Sequence, residues 1–217
     1  MRKLFAAIKK HDVDLVKKIL EDDQNLIDCV AKQPPKSDDG KSLLQVAIKD
    51  GTIEIANYLL DKGANVNFME SDTSANGWQI PVIQDAISCA IMRTRWCVLD
   101  AQNNEVVQHT KEESDEAFSL LKRMVDLGAD LNCVDSRGNT TLERVAMQAA
   151  QIMPLYNPNT HQYTEKRKIT NEFRSDLERI FSLLFEQGLT SNIKMRTSNM
   201  TIKEFYSKHP LNEFLIK

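Results

Sequence analysis

Apolar residues recur along this chain in short runs with helical spacing, and polar turns separate them. Three of the runs end in the same way, on a glycine: Tyr58-Leu59-Leu60-Asp61-Lys62-Gly63, Met124-Val125-Asp126-Leu127-Gly128 and Leu183-Leu184-Phe185-Glu186-Gln187-Gly188. A glycine in that place predicts a helix stop, because it adopts the left-handed backbone that satisfies the last carbonyls of a helix. Gly40, Gly77 and Gly138 instead fall in polar stretches just before a new apolar run, which predicts turns. Gly51 separates two runs and predicts a tight reversal. The pattern is therefore turn, helix, helix, glycine stop. It predicts helix pairs at Leu4–Leu20, Leu43–Leu60, Val82–Leu127, Thr141–Gln187, and a final short helix near Met200–Tyr206.

The second unit is the most regular. Its string Asp39-Gly40-Lys41-Ser42-Leu43-Leu44-Gln45-Val46-Ala47, followed by Ile53-Glu54-Ile55-Ala56-Asn57-Tyr58-Leu59-Leu60-Asp61-Lys62-Gly63-Ala64-Asn65-Val66-Asn67, resembles the ankyrin repeat, which has a period of about 33 residues. The resemblance implies an all-α chain, an ankyrin-like solenoid of stacked helix-turn-helix repeats. It implies one domain over 1–217: an N-terminal capping repeat (1–36), a second repeat (37–68), third and fourth repeats with insertions (69–133 and 134–192), and a C-terminal cap (193–217).

Gly63 and Gly128 are 65 residues apart, and Gly128 and Gly188 are 60 apart. One insertion of about 30 residues in each unit reconciles this with the period. The surplus falls around Arg93–Glu113 and Met153–Asn171, the same slot in both. Thr110 with Glu113 reads as a capping box, and Thr164 as a second N-cap, so both surpluses read as tall helical hairpins with polar tips at Asn103-Asn104 and Asn157-Pro158-Asn159-Thr160. A β-hairpin over Trp96–Val107 is the alternative for the first. The family's T-P-L-H opening is degraded in every unit, to Ser42-Leu43-Leu44-Gln45, Pro81-Val82-Ile83-Gln84, Thr140-Thr141-Leu142-Glu143 and Met200-Thr201-Ile202-Lys203. No unit keeps the histidine that ties neighbouring repeats together in that family, which places more of the stability on apolar stacking.

Composition narrows the function. With 28 basic and 31 acidic residues the net charge is −3, which argues against a protein built to neutralise phosphates. No apolar stretch is long enough for a membrane span, and the start is too short for a signal peptide, so a cytoplasmic location is expected. Cys29, Cys89, Cys97 and Cys133 form neither a C-x-x-C pair nor a zinc-ligand spacing with histidine. No cofactor or metal is expected.

A stack of helix pairs offers an open, extended surface, so the expected function is non-catalytic binding of a protein or peptide by a monomer. Contacts in the ankyrin family come from the turn tips and the end of each first helix. Carried over, these positions are Lys9 and Lys10; Asp38, Asp39, Lys41, Lys49 and Asp50; Trp78, Gln79, Ser88 and Cys89; and Ser136, Arg137, Asn139, Met147 and Gln148. Trp78 is the leading candidate, because a tryptophan at a turn is large and poorly shielded by its own repeat. Trp96, beside Arg93 and Arg95, reads either as a partner contact or as an anchor for the first insertion.

Two alternatives make different demands. The chain could be an inhibitor or immunity-type regulator of a cognate enzyme or toxin. It could also be an enzyme with a site assembled from both insertions, such as His109 or His161 with Cys97, although no such pair has the spacing of a catalytic or metal-binding motif.

Overall fold

The computed structural model describes residues 1–73, 77–157, 162–164 and 166–216. Its contacts divide the chain into two compact units: Met1–Cys89 with Leu120–Arg137, and Ala90–Ser119 with Gly138–Lys217.

In the first unit, α1 (Arg2–Lys9) and α2 (Val13–Asp22) form one helix pair, and α3 (Leu43–Lys49) and α4 (Ile53–Asp61) form the next. The pairs stack in sequence order, α1 on α3 and α2 on α4. The seam is apolar: Leu4, Ile8, Val16, Leu43, Val46, Ile55 and Leu59 are fully buried. Each such side chain contributes roughly 1.5–3 kcal/mol before ordering entropy is charged against it. Side-chain caps start α2 and α3. Asp12 caps α2 by accepting a hydrogen bond from Leu15 N at 3.0 Å, and Ser42 with Gln45 forms a complete capping box on α3. Gly63 ends α4 with φ at 84°, and Ala64 N reaches back to Leu59 O at 3.0 Å.

The unit also takes Val82–Cys89 of α5 (Val82–Met92) and the residues of α6 (Lys111–Asp126) from Leu120 onward. Arg123 of α6 donates to Asn57 O at 3.1 Å and Asn57 Oδ1 at 2.9 Å, and also pairs with Asp61. Asn67, four residues beyond Gly63, donates to Gly128 O at 3.1 Å and accepts from Asp130 N at 2.7 Å. The equivalent loops after α4 and α6 are thereby joined edge to edge.

Gly40 is the tightest point of the unit. Its φ is 86°, and a Cβ there would lie 2.5 Å from the carbonyl oxygen of Ser71, whose N–H donates to Gly40 O at 2.9 Å. Gly63 shares the left-handed backbone but has open space around it. Gly40→Ala is therefore expected to cost about 3 kcal/mol and Gly63→Ala about 1 kcal/mol, since both incur the conformational term and only the first collides with backbone. Urea midpoints of the two variants measure the difference. Equal losses would mean that the turn relaxes freely.

In the second unit, α7 (Thr141–Ile152) and α8 (Asn171–Glu186) carry most of the core, with Leu142, Val145, Ala149, Phe173, Leu177, Ile180, Phe181 and Leu184 buried. Complete capping boxes, Thr140 with Glu143 and Thr201 with Glu204, open α7 and the short α9 (Ile202–Phe205). A 3-10 turn over Pro210–Leu215 closes the unit on Leu211 and Leu215.

The all-α expectation fails in the two segments read as insertions. The first is a β-hairpin, β1 (Cys97–Leu99) with β2 (Glu105–Val107), so the strand alternative holds and the helical hairpin does not. Asp100 organises its turn by accepting from Gln102 N and Asn104 N, both at 2.8 Å, with Asn103 at φ 63°. Thr110 and Glu113 do cap α6 reciprocally, as read from the sequence. The second segment pairs β3 (Tyr156–Asn157) with β4 (Gln162–Tyr163), and β5 (Arg167–Lys168) joins the other edge of β1 in the order β2-β1-β5. Thr164 is not a helix cap. It accepts from Leu155 N at 3.3 Å, and Thr170 caps α8 instead. Of the expected polar tip here, Pro158, Asn159 and Thr160 lie outside the described residues, as do the Ser74–Asn76 part of the Gly77 turn, Glu165 and His161.

Missing histidines do not leave the repeats without cross-links. Gln45 closes its capping box and also donates to Ile80 O at 3.1 Å and Asp85 Oδ2 at 2.9 Å, both in the following repeat. Glu143 does the same in the second unit, accepting from Thr140 N at 2.6 Å and from Arg196 N at 3.3 Å. The expectation that apolar stacking carries this load is corrected to that extent.

Candidate protein-interaction surface

The turns of the first unit are laced together by backbone groups. Gly40 N donates to Ala31 O at 3.0 Å, and Ala31 N to Lys41 O at 2.8 Å. Farther along, Ser136 N donates to Gln79 O at 3.0 Å while Gln79 N donates to Ser136 Oγ at 2.9 Å. This reciprocal pair brings Trp78, Gln79, Ser136 and Arg137 into one cluster, although more than fifty residues separate the two turns in sequence. The Arg137 guanidinium stands 4.3 Å from the centre of the half-buried Trp78 ring, a cation–π arrangement worth about 0.5–1 kcal/mol at an accessible site. Arg137 is exposed, and its backbone N–H donates to the buried Asp135 at 2.9 Å, which fixes the turn. Gln79 Nε2 reaches Asp72 Oδ1 at 3.3 Å.

A second cluster surrounds Asp38, which is 3 % exposed. Lys9 Nζ donates to one carboxylate oxygen at 2.5 Å and Lys49 Nζ to the other at 2.6 Å; Lys49 also donates to Ser37 O at 2.9 Å. Burial alone would raise the Asp38 pKa, and the bonds from Lys49 and Lys9 overcome it and hold the carboxyl below its ordinary value. The charge of Asp50 also acts on Lys9, so two carboxylates balance the two ammonium groups of this cluster.

The other expected contact residues divide between surface and interior. Lys10 is exposed; Asp50, Ser88 and Cys89 are half-buried. Asp39 and Lys41 are 6 % and 9 % exposed. Asp39 accepts from Gln33 N and Gln33 Nε2, both at 3.2 Å, and Lys41 pairs with buried Glu70. These two therefore build the turn rather than face solvent. Asn139, Met147 and Gln148 belong to the second unit, where Met147 is 39 % exposed and the other two are half-buried. Sequence reasoning missed Asp72 and Asp135, although an aspartate three residues before Gly138 is a recognisable turn signal.

Of the groups named for an enzymatic reading, Cys97 and His109 are among the described residues and His161 is not. Cys97 is fully buried and burial pushes its thiol pKa up, which opposes the thiolate a nucleophile needs. His109, just before α6, lies 3.5 Å from Glu113 in the first turn of that helix. Trp96 serves as an anchor: its Nε1 donates to Met92 O at 3.2 Å, and the Arg167 guanidinium lies 5.8 Å from its ring centre. Among the described residues, no helix is long and apolar enough to cross a membrane.

The family model for ankyrin repeats (3 copies) matches residues 4–89. No curated protein matches the sequence. The matched span contains the stacked pairs α1–α2 and α3–α4, the turn at Gly40 and the start of α5, the elements in which the turn, helix, helix, glycine order is most regular. The family model thus identifies residues 4–89 as ankyrin repeats.

Proposed function

We propose that this chain is a non-catalytic binding module in the cytoplasm, and that it engages a protein or peptide through its turn tips, with Trp78 and Arg137 at the centre. The observation that carries this reading is the Trp78–Arg137 stack, set at the turn by the Gln79–Ser136 pair. Trp and Arg are the residue types that dominate interface energetics, and both are pre-positioned here without the loss of rotamer freedom that usually accompanies binding.

The test is a capture experiment with the wild-type chain and Trp78→Ala/Arg137→Ala, each immobilised and exposed to extract of the source cells, with bound proteins quantified by mass spectrometry. A partner of the wild type should be depleted at least about thirtyfold on the variant, the equivalent of one hot spot of about 2 kcal/mol. Circular dichroism should be unchanged. Equal recovery on both would refute the choice of surface.

A further inference from the structure

Between α1 and the segment 31–38 the first unit has an open groove of about 330 Å³, at the lower end of the range of roughly 300–1,000 Å³ typical of ligand pockets. Its floor is apolar, made by Met1, Phe5, Ala6, Ala31, Pro34 and Pro35. Met1 is 53 % exposed and Ala6, Pro34 and Pro35 are exposed, so the apolar floor is open to solvent. Its polar lining is almost entirely cationic. Arg2, Lys9 and Lys32 stand at the rim, and the one carboxylate there, Asp38, has each of its oxygens bonded by an ammonium group, Lys9 and Lys49. Arg2 and Lys32 form no salt bridge among the described residues. This positive rim belongs to a chain whose net charge is −3, so it is a local feature and not a reflection of overall composition.

We propose that this groove seats an apolar side chain carried on an acidic segment of the partner protein. The inference rests on the binding-module reading and adds the chemistry of the ligand. Apolar walls desolvate one anchor residue, while Arg2 and Lys32 receive carboxylates on either side of it. Because Asp38 is already neutralised by its two lysines, it offers an incoming carboxylate no net repulsion. The rim charges set recognition and on-rate, and the anchor supplies most of the affinity.

Fluorescence anisotropy tests this with the full chain and labelled twelve-residue probes: Leu-Phe-Leu flanked by Asp and Glu; the same peptide with Asn and Gln flanks; an acidic peptide with serines in place of the apolar centre; and a single-stranded oligonucleotide of equal length. The first probe should bind, and the next two at least tenfold more weakly. Its affinity should fall as salt rises from about 0.05 to 0.3 M, as screening shortens the reach of the rim charges. Ala6→Trp, which fills the groove from an exposed helix position, and Arg2→Glu/Lys32→Glu should each weaken it at least tenfold. The proposal is overturned if the acidic probe does not bind, if the neutral probe or the oligonucleotide binds as tightly, or if Ala6→Trp changes nothing. The two readings fail separately. Groove variants that still capture a Trp78-dependent partner sink the groove alone, whereas a groove-bound probe with no effect of Trp78→Ala/Arg137→Ala on any partner sinks the turn-tip surface alone.

Discussion

Replacing Asp176 by alanine should destabilise the second unit by about 3–5 kcal/mol, the range for removing one member of a buried ion pair. Asp176 is 2 % exposed, in the first half of α8. It accepts three bonds from Arg95, from the backbone N at 2.9 Å, from Nε at 3.0 Å and from Nη2 at 2.8 Å, and Arg179 Nη2 lies 3.4 Å away. Arg179 continues the network to Ser114 Oγ at 2.6 Å and to Asp115. Arg95 sits just before β1, so one carboxylate holds the root of the hairpin to α8, and its neighbour holds the start of α6. Without Asp176 the Arg95 guanidinium, 18 % exposed, keeps its desolvation cost and loses its compensation.

Hydrogen exchange is the discriminating measurement. Amides of Cys97–Val107 should lose protection in Asp176→Ala, while those of α3 and α4 in the other unit keep theirs. A pH series adds a sign. Burial raises the Asp176 pKa and the bonds from Arg95 more than offset this, so the folded carboxyl titrates below its unfolded value of about 3.9. The stability it provides is complete above that value and is lost as pH falls through it towards the folded one. The gap between wild type and Asp176→Ala should therefore be constant near neutrality and close in acid. A variant as stable as wild type at pH 7 would show that the clasp carries no net energy.

What could be read from the sequence was local. Gly63, Gly128 and Gly188 announce helix ends because the left-handed turn is a one-residue property, and all three have φ between 84° and 91°. Capping boxes are equally short: Thr110/Glu113 forms as read, and Ser42/Gln45 and Thr140/Glu143, read only as degraded repeat openings, form as well. The strands were harder to see. Strands of two or three residues have no period to detect, and β5 finds its partner β1 about seventy residues earlier. Thr164 was misread because a threonine before a polar run caps a helix or a strand end with equal local plausibility, and only the pairing with Leu155 decides. At the candidate surface, Trp78 and Arg137 were both legible as turn residues, but their stacking was not. It depends on Gln79 meeting Ser136, which only the arrangement of repeats brings about. Gln45 was read as a degraded histidine, yet its amide performs the cross-link that a histidine would supply.

Glu70 shows the same limit inside the first unit. The resemblance to the ankyrin repeat places Lys41 among the exposed contact positions of the turn tip. In the structure its side chain is 11 % exposed and pairs with Glu70, which is 1 % exposed and lies one repeat farther on. Gln45 Nε2 donates to the same Glu70 oxygen at 3.4 Å, and the ring of polar groups closes through Asp85. Burial pushes the Lys41 ammonium pKa down, with Asp85 opposing it, so the ion depends on nearby carboxylates to remain charged inside the repeat. Glu70→Ala should accordingly cost about 3 kcal/mol, less than the upper figure for a buried pair because Asp85 remains as a partial partner. Lys41→Met/Glu70→Leu removes both charges together and leaves apolar side chains of similar length, so it should recover most of that loss, since no ion is stranded. Urea denaturation of Lys41→Met, Glu70→Leu and the double variant completes a double-mutant cycle, with Glu70→Ala measured beside it. A near-neutral double variant beside destabilised single variants, a coupling energy of large magnitude, means the pair specifies the fit of neighbouring turns without adding net stability; a double variant as poor as Glu70→Ala would mean that Gln45 and Asp85, not Lys41, are what Glu70 supports.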